Sequence, residues 1–261
     1  MNVVRAKYFV ALLAVALLTV SVPVQASNTD DRIEAAAKES YVFKTYLKDD
    51  DIKIKAKDGA VTLKGTVAEE THKILAGETV ASLPEVKSVD NQLKVKGDRP
   101  AEKSDAWITA KVKAALLFHR HVSAMTKVDT RDGIVTLQGE APNQAQKDLT
   151  TEYVKDVEGV KDVKNEMTVV KNGTIDKAAA KTMAAARSVG DKIDDASITA
   201  LVKMSLLYHR STSGLKTSVT TRDGVVTLTG KAKNAAEVAL ATKLANDVNG
   251  VESVNNQMTI E

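Results

Sequence analysis

Cysteine is absent from all 261 residues. That excludes disulfide staples, a thiolate nucleophile and thiolate metal ligands. Aromatic residues are almost as scarce: of three Phe, one Trp and five Tyr, Tyr8 and Phe9 stand in the first apolar stretch. The few that remain are too sparse for a platform on which bases stack. Charge of one sign is missing too, with 37 basic residues against 34 acidic. Lys alternates with Asp and Glu along the whole chain, so the concentrated basic surface that displaces counterions from nucleic acid is not there. Long apolar runs are confined to one place, Tyr8 to Val22, ~15 residues where about 20 are needed to span a bilayer. Arg5 and Lys7 precede this run and Val24-Gln25-Ala26 follows it. That order predicts a secretory signal peptide over residues 1–26, cut after Ala26. With no Cys near the cut, lipid attachment of the lipoprotein kind is excluded. Loss of Arg5 and Lys7 leaves 35 basic residues against 34 acidic in the exported chain.

What the chain has in abundance is repetition. Lys57-Asp58-Gly59-Ala60-Val61-Thr62-Leu63-Lys64-Gly65 returns as Arg131-Asp132-Gly133-Ile134-Val135-Thr136-Leu137-Gln138-Gly139, and again as Arg222-Asp223-Gly224-Val225-Val226-Thr227-Leu228-Thr229-Gly230. In each copy a Val (Val86, Val160, Val251) lies 27 positions and an Asn (Asn91, Asn165, Asn256) 32 positions after the first Gly. The unit of folding is therefore a small domain used three times.

Each copy predicts the same order of elements. Ile198, Leu201, Val202, Ser205 and Leu206 form the stripe of a helix that buries one face, and Ile33, Ala36, Ala37, Ser40 and Tyr41 match it. The second copy matches at all but Lys111. Next comes a strand with Ile52, Ile54 and Ala56 on one face and Lys53 and Lys55 on the other. Asp58-Gly59, Asp132-Gly133 and Asp223-Gly224 supply the two φ > 0 residues of a type I′ turn. Gly65, Gly139 and Gly230 read as a bulge or a close strand-to-helix approach. A second helix follows, capped by Asn143 and Asn234 and entered at Glu69 in the first copy, with Val80, Val154 and Leu244 on its apolar face. The last strand carries Val89, Leu93 and Val95, matched by Val163, Met167, Val169 and by Val254, Met258, Ile260. A right-handed crossover then sets the third strand parallel to the second, with both helices on one face of a three-stranded mixed sheet. The fold class is α+β, three tandem αββαβ domains over 27–97, 105–171 and 195–261. A linker covers 98–104, and a helical spacer rich in Ala and Lys covers 172–194, serving as distance or as a docking helix. At ~65 residues each unit has a small core and modest stability of its own.

The helix, the (Arg/Lys)-Asp-Gly-x-Val-Thr-Leu-x-Gly hairpin, the second helix and the closing Val-x-x-Val-x-Asn-x-(Leu/Met) resemble the BON domain of osmotically inducible periplasmic proteins. The resemblance spans the exported chain except its linkers and departs at Pro84-Glu85-Val86, where the family has Gly before the Val. It implies a non-enzymatic periplasmic protein with no cofactor, with membrane phospholipid as ligand and osmotic or envelope stress as setting.

The residues themselves offer no catalytic constellation. His72, His119, His121 and His209 have no zinc-ligand spacing, and no Gly-x-Ser-x-Gly elbow occurs. Gly224 to Lys231 mimics a phosphate loop, but its Val-Val-Thr-Leu reads as a strand. Asn91, Asn165 and Asn256 are expected to be buried amides that tie down a loop. One constellation remains as a candidate anionic-lipid site: Lys44, His119, Arg120, His121, His209 and Arg210, all at the end of a first helix. Either these cations offset the dipole of their own helix, with the neighbouring aromatic packed beneath, or they join free N–H groups at the start of the second helix to hold a phosphate. Two partner classes follow. One is an anionic phospholipid or membrane surface, bound weakly and peripherally. The other is an envelope protein or unfolded client, held by strand addition at an exposed sheet edge.

Overall fold

The computed structural model describes residues 26–97, 100–120, 122, 126–170, 193–213 and 216–261. The expected leader up to Gln25, most of the expected spacer, and His121 lie outside the described residues.

The first domain comprises α1 (Ala26–Glu39), α2 (Tyr41–Thr45), β1 (Asp51–Lys57), β2 (Ala60–Val67), α3 (Glu70–Ala81) and β3 (Ser88–Val95). Ile33, Ala37 and Ser40 face inward as expected, whereas Ala36 is exposed. The helix does not run on past Ser40. The hydroxyl of Ser40 instead accepts from the Phe43 N–H and caps α2. β1 and β2 pair antiparallel with Ala56 opposite Val61, and Asp58 (φ 53°) and Gly59 (φ 83°) form the turn. β3 lies parallel to β2, Val61 beside Val89. Val61, Leu63, Val67, Leu75, Val80 and Leu93 are buried between the sheet and its helices.

The second domain repeats this with α4 (Asp105–Leu117), β4 (Lys127–Arg131), β5 (Ile134–Gln138), β6 (Glu140–Ala141), α5 (Gln144–Lys155), β7 (Asp162–Asn165) and β8 (Thr168–Val169). The third has α6 (Asp195–Tyr208), α7 (Arg210–Ser213), β9 (Lys216–Arg222), β10 (Val225–Ala232), α8 (Ala235–Asn246), β11 (Ser253–Asn256) and β12 (Thr259–Ile260). In all three the hairpin is antiparallel and the last strand parallel to the second, as the sequence predicts.

Three local expectations need correction. Gly65 (φ 129°) and Gly230 (φ 135°) are crowded by the neighbouring strand and not by a helix: a Cβ would lie 1.9 Å from the Asp51 carbonyl oxygen and 2.1 Å from that of Lys216. α3 is entered at Glu69 as expected, with no side-chain cap bond, and Asn143 and Asn234 cap their helices by accepting from the N–H groups of Gln146 and Glu237. The last strand is continuous only in the first domain. In the others Asn165 and Asn256 accept from the N–H two residues on, at 3.0 Å and 2.9 Å against 3.3 Å for Asn91, and the ladder breaks there. Finally, Ile260 is 56% exposed and not part of the core face.

The three domains pack around α6. This helix carries only Asp195 and Lys203 as charges among its 14 residues and is buried on nearly every side, as a helix apolar all round must be. Its N-cap Asp194 accepts from the Ser197 N–H and also from the Tyr41 N–H of the first domain. Ser197 accepts from the Val42 N–H at 3.1 Å. Farther along, the Tyr208 hydroxyl meets the Thr71 hydroxyl at 2.8 Å, and Lys203 pairs with Glu78. The first and second domains touch where the Tyr46 and Phe118 rings meet edge to face.

Candidate functional site

Four of the residues singled out at the ends of the first helices, His119, Arg120, His209 and Arg210, lie in a seam between the second and third domains. His119 and His209 are buried, and their Nε2 atoms approach to 3.0 Å. The seam is built twice in near two-fold fashion. His119 bridges to Val248 and His209 to Val157 through antiparallel backbone contacts. The Arg120 N–H donates to the Asp247 carbonyl at 2.8 Å, and the Arg210 N–H to the Asp156 carbonyl at 2.6 Å. Arg120 Nη2 donates to the carbonyls of Val248 and Val251, and Arg210 Nη2 to that of Lys155.

Asp156 and Asp247 are the C-caps of α5 and α8. The cations therefore meet the C-terminal ends of second helices, where the dipole is negative and positive charge is stabilised. They do not meet the N-termini that a phosphate site would require. The helix ends these cations meet belong to the neighbouring domain and not, as expected, to their own helix. Lys44 stands apart, half exposed and paired with Glu39. Burial pushes the Asp156 carboxyl up, yet hydrogen bonds from His209 and Ser211 outweigh it and hold the group below its ordinary value.

The open surfaces are the outer faces of the sheets. On the first sheet the side chains opposite the core are Asp51, Lys53, Lys55 and Lys57 from β1, Lys64 from β2, and Asp90 and Lys94 from β3, all exposed. The register sets Lys53 directly across from Lys64, a like-charge pair that costs stability. Two Lys facing each other on a solvated sheet do nothing for the fold. Lys55 is partly engaged, 3.6 Å from Glu34. The second sheet mixes Lys127, Arg131 and Lys164 with Asp129 and Asp162, and the third presents Ser218, Thr220, Thr227 and Thr229 beside Lys216 and Arg222. Among the described residues no group of three or more His, Asp or Glu side chains is placed to hold a metal ion, and no helix is long and apolar enough to cross a membrane.

A family model described as the BON domain matches residues 29–97, 104–171 and 194–261. The chain belongs to the BON-domain family. It is 34% identical over 157 residues to osmotically-inducible protein Y of Escherichia coli (strain K12), covering 59% of this chain and 71% of that protein. It is 30% identical over 113 residues to an uncharacterized protein in the gshII 5′ region of Anaplasma centrale, covering 42% of this chain and 75% of that one. Among solved structures, CdsD, a structural protein of the type III secretion system of Chlamydia trachomatis, is 16% identical with a TM-score of 0.21, over 88% of this chain and 90% of that one.

Two features of these BON domains escaped the sequence reading. In each, an acid in the N-terminal part of the first helix accepts from both turn amides. Asp30 takes those of Asp58 and Gly59, Asp105 those of Asp132 and Gly133, and Asp195 those of Asp223 and Gly224. Their recurrence 27 or 28 residues before the turn was a usable signal. The packing of BON domains against one another was foreshadowed only by the near absence of charge from α6. Asn91, Asn165 and Asn256, expected as buried amides tying down a loop, are instead half-buried and tie the last strand to the second helix, donating to the carbonyls of Lys73, Lys147 and Val238.

Proposed function

We propose that this BON protein is exported, loses its leader after Ala26, and works in the periplasm as a non-enzymatic protein of the osmotic and envelope stress response. In this reading it rests peripherally on anionic phospholipid through the outer face of its first sheet. The setting is supported by its similarity to an osmotically inducible protein. The lipid reading is carried by one observation, the five Lys against two Asp on that face, with Lys53 set opposite Lys64. At about 1 kcal/mol per cation near an anionic leaflet, a net charge of three supplies roughly 3 kcal/mol, or on the order of a hundredfold in partitioning. Such an attraction is weak and salt-sensitive. Strand addition to a client at the β1 edge of the same sheet is disfavoured, because Glu34 of α1 already takes the N–H of Ala56 and that strand is lined with Lys.

Vesicle co-sedimentation tests the reading. Phosphatidylglycerol vesicles should retain the protein at low salt and release it as ionic strength rises, while phosphatidylcholine vesicles should not retain it. Lys53→Glu with Lys64→Glu should lower retention at least tenfold, whereas Arg131→Ala with Arg222→Ala should matter less. Equal retention by the two lipids would move the weight to client binding.

A further inference from the structure

We propose that the seam between the second and third domains is an acid-released joint whose latch is the His119–His209 pair. The inference is independent of what the outer sheet faces bind. Two imidazole nitrogens 3.0 Å apart with both rings buried form a hydrogen bond only if one donates and the other accepts, so the contact holds a single proton between the Nε2 atoms. Each ring turns its other nitrogen toward a carboxylate of the opposite domain. Nδ1 of His119 is 3.2 Å from Asp247, and Nδ1 of His209 is 3.5 Å from Asp156.

The remaining neighbours do not relieve added positive charge. Tyr153 stacks on His119 with ring centroids 4.0 Å apart, and its hydroxyl donates to Asp247. Burial, with the Asp247 carboxylate next, keeps that phenol protonated. Ser211 donates to Asp156. The guanidinium groups of Arg120 and Arg210 already stand at the seam, bound to backbone carbonyls. Glu152, Lys155 and Lys243 are exposed at its rim.

A second Nε2 proton sets N–H against N–H well inside van der Waals contact, and adds a further cation to a seam where two guanidinium groups already stand with the two carboxylates. Apart, both imidazolium ions are hydrated. The open form therefore binds about one more proton than the closed form, and the open-to-closed ratio rises as pH falls, by up to about tenfold per pH unit. Opening uncovers Val157 and Val248, which are buried in the closed form and bridge to the opposite domain's His residues.

Small-angle scattering and binding of an apolar dye to the full chain, at about pH 7.5 and about pH 5 to bracket the ordinary imidazole range, test the joint. The wild-type protein should expand reversibly and bind more dye at the lower pH. His119→Gln and His209→Gln replace an imidazole with an amide that does not titrate, and each should stay compact at both pH values. His72→Gln, which removes the imidazole bound to Asp50 in the first domain, should expand as the wild type does. A wild-type protein of equal radius at both pH values, or Gln variants that expand just as it does, would overturn the proposal. Should the Gln variants be open already at neutral pH, nitrogen NMR of the imidazoles decides. The second Nε2 protonation must coincide with expansion, and its completion in the compact form would reject the joint.

Discussion

Glu85 holds with a side chain the backbone conformation that Gly159 and Gly250 hold without one. Its φ is 66°, theirs are 89° and 88°, and the left-handed region costs a residue with a Cβ roughly 1–2 kcal/mol. Glu85 recovers part of this through its ion pair with Arg32 at 2.8 Å, although both side chains are at least half exposed and such pairs contribute about 0–1 kcal/mol. Strain is the larger effect, so Glu85→Gly should stabilise the first domain by about 0.5 kcal/mol in urea denaturation. A loss of stability would mean that the pair with Arg32 dominates. The departure at Pro84-Glu85-Val86 was legible in the sequence as a missing Gly. That the loop would keep its left-handed turn was not, because the geometry is imposed from outside the loop by the Lys87 N–H donating to the Gly59 carbonyl.

At the scale of elements, the first helix and the hairpin are held together by a carboxylate that periodicity does not reveal. Asp105 stands at the start of α4 and binds the N–H groups of Asp132 and Gly133 at 2.8 Å and 2.9 Å. It thereby joins a helix N-terminus, which favours negative charge, to the two amides that a type I′ turn leaves unpaired. Asp105→Ala should therefore destabilise the second domain by about 1–2 kcal/mol and speed hydrogen exchange at Asp132 and Gly133 before other hairpin amides. Unchanged exchange at those two amides would show that the tie is dispensable. Helices, hairpin and parallel return strand were readable because each rests on a local pattern: period 3.6, period 2, or an Asp-Gly pair. The Asp105 tie joins groups 27 residues apart, and the fate of His119 and Arg120 was decided by Asp247 and Val248, more than 120 residues away. A run of Phe, His and Arg at a helix end reads the same from sequence whether it faces a phosphate or another domain.

At the scale of the whole molecule, three domains that each have their own hairpin and helices would be expected to melt separately. α6 argues otherwise. It is the first helix of the third domain, yet its cap receives the Tyr41 N–H of the first domain, its Tyr208 meets Thr71, and it also packs against α4 of the second. A domain of ~65 residues has little stability in reserve, so contacts shared through one helix are a large part of what each domain has. Leu201 is wholly buried in α6. Leu201→Ala should cost about 2–4 kcal/mol through lost burial and the space left behind. In scanning calorimetry of the full chain this should move one shared transition down by roughly 6–12 °C. Three resolved transitions, with only one displaced by the substitution, would show that the domains are independent and that α6 stabilises the third alone. A single displaced transition would mean that the tripled domain is one cooperative body, in which damage to any copy reaches the Lys face of the first.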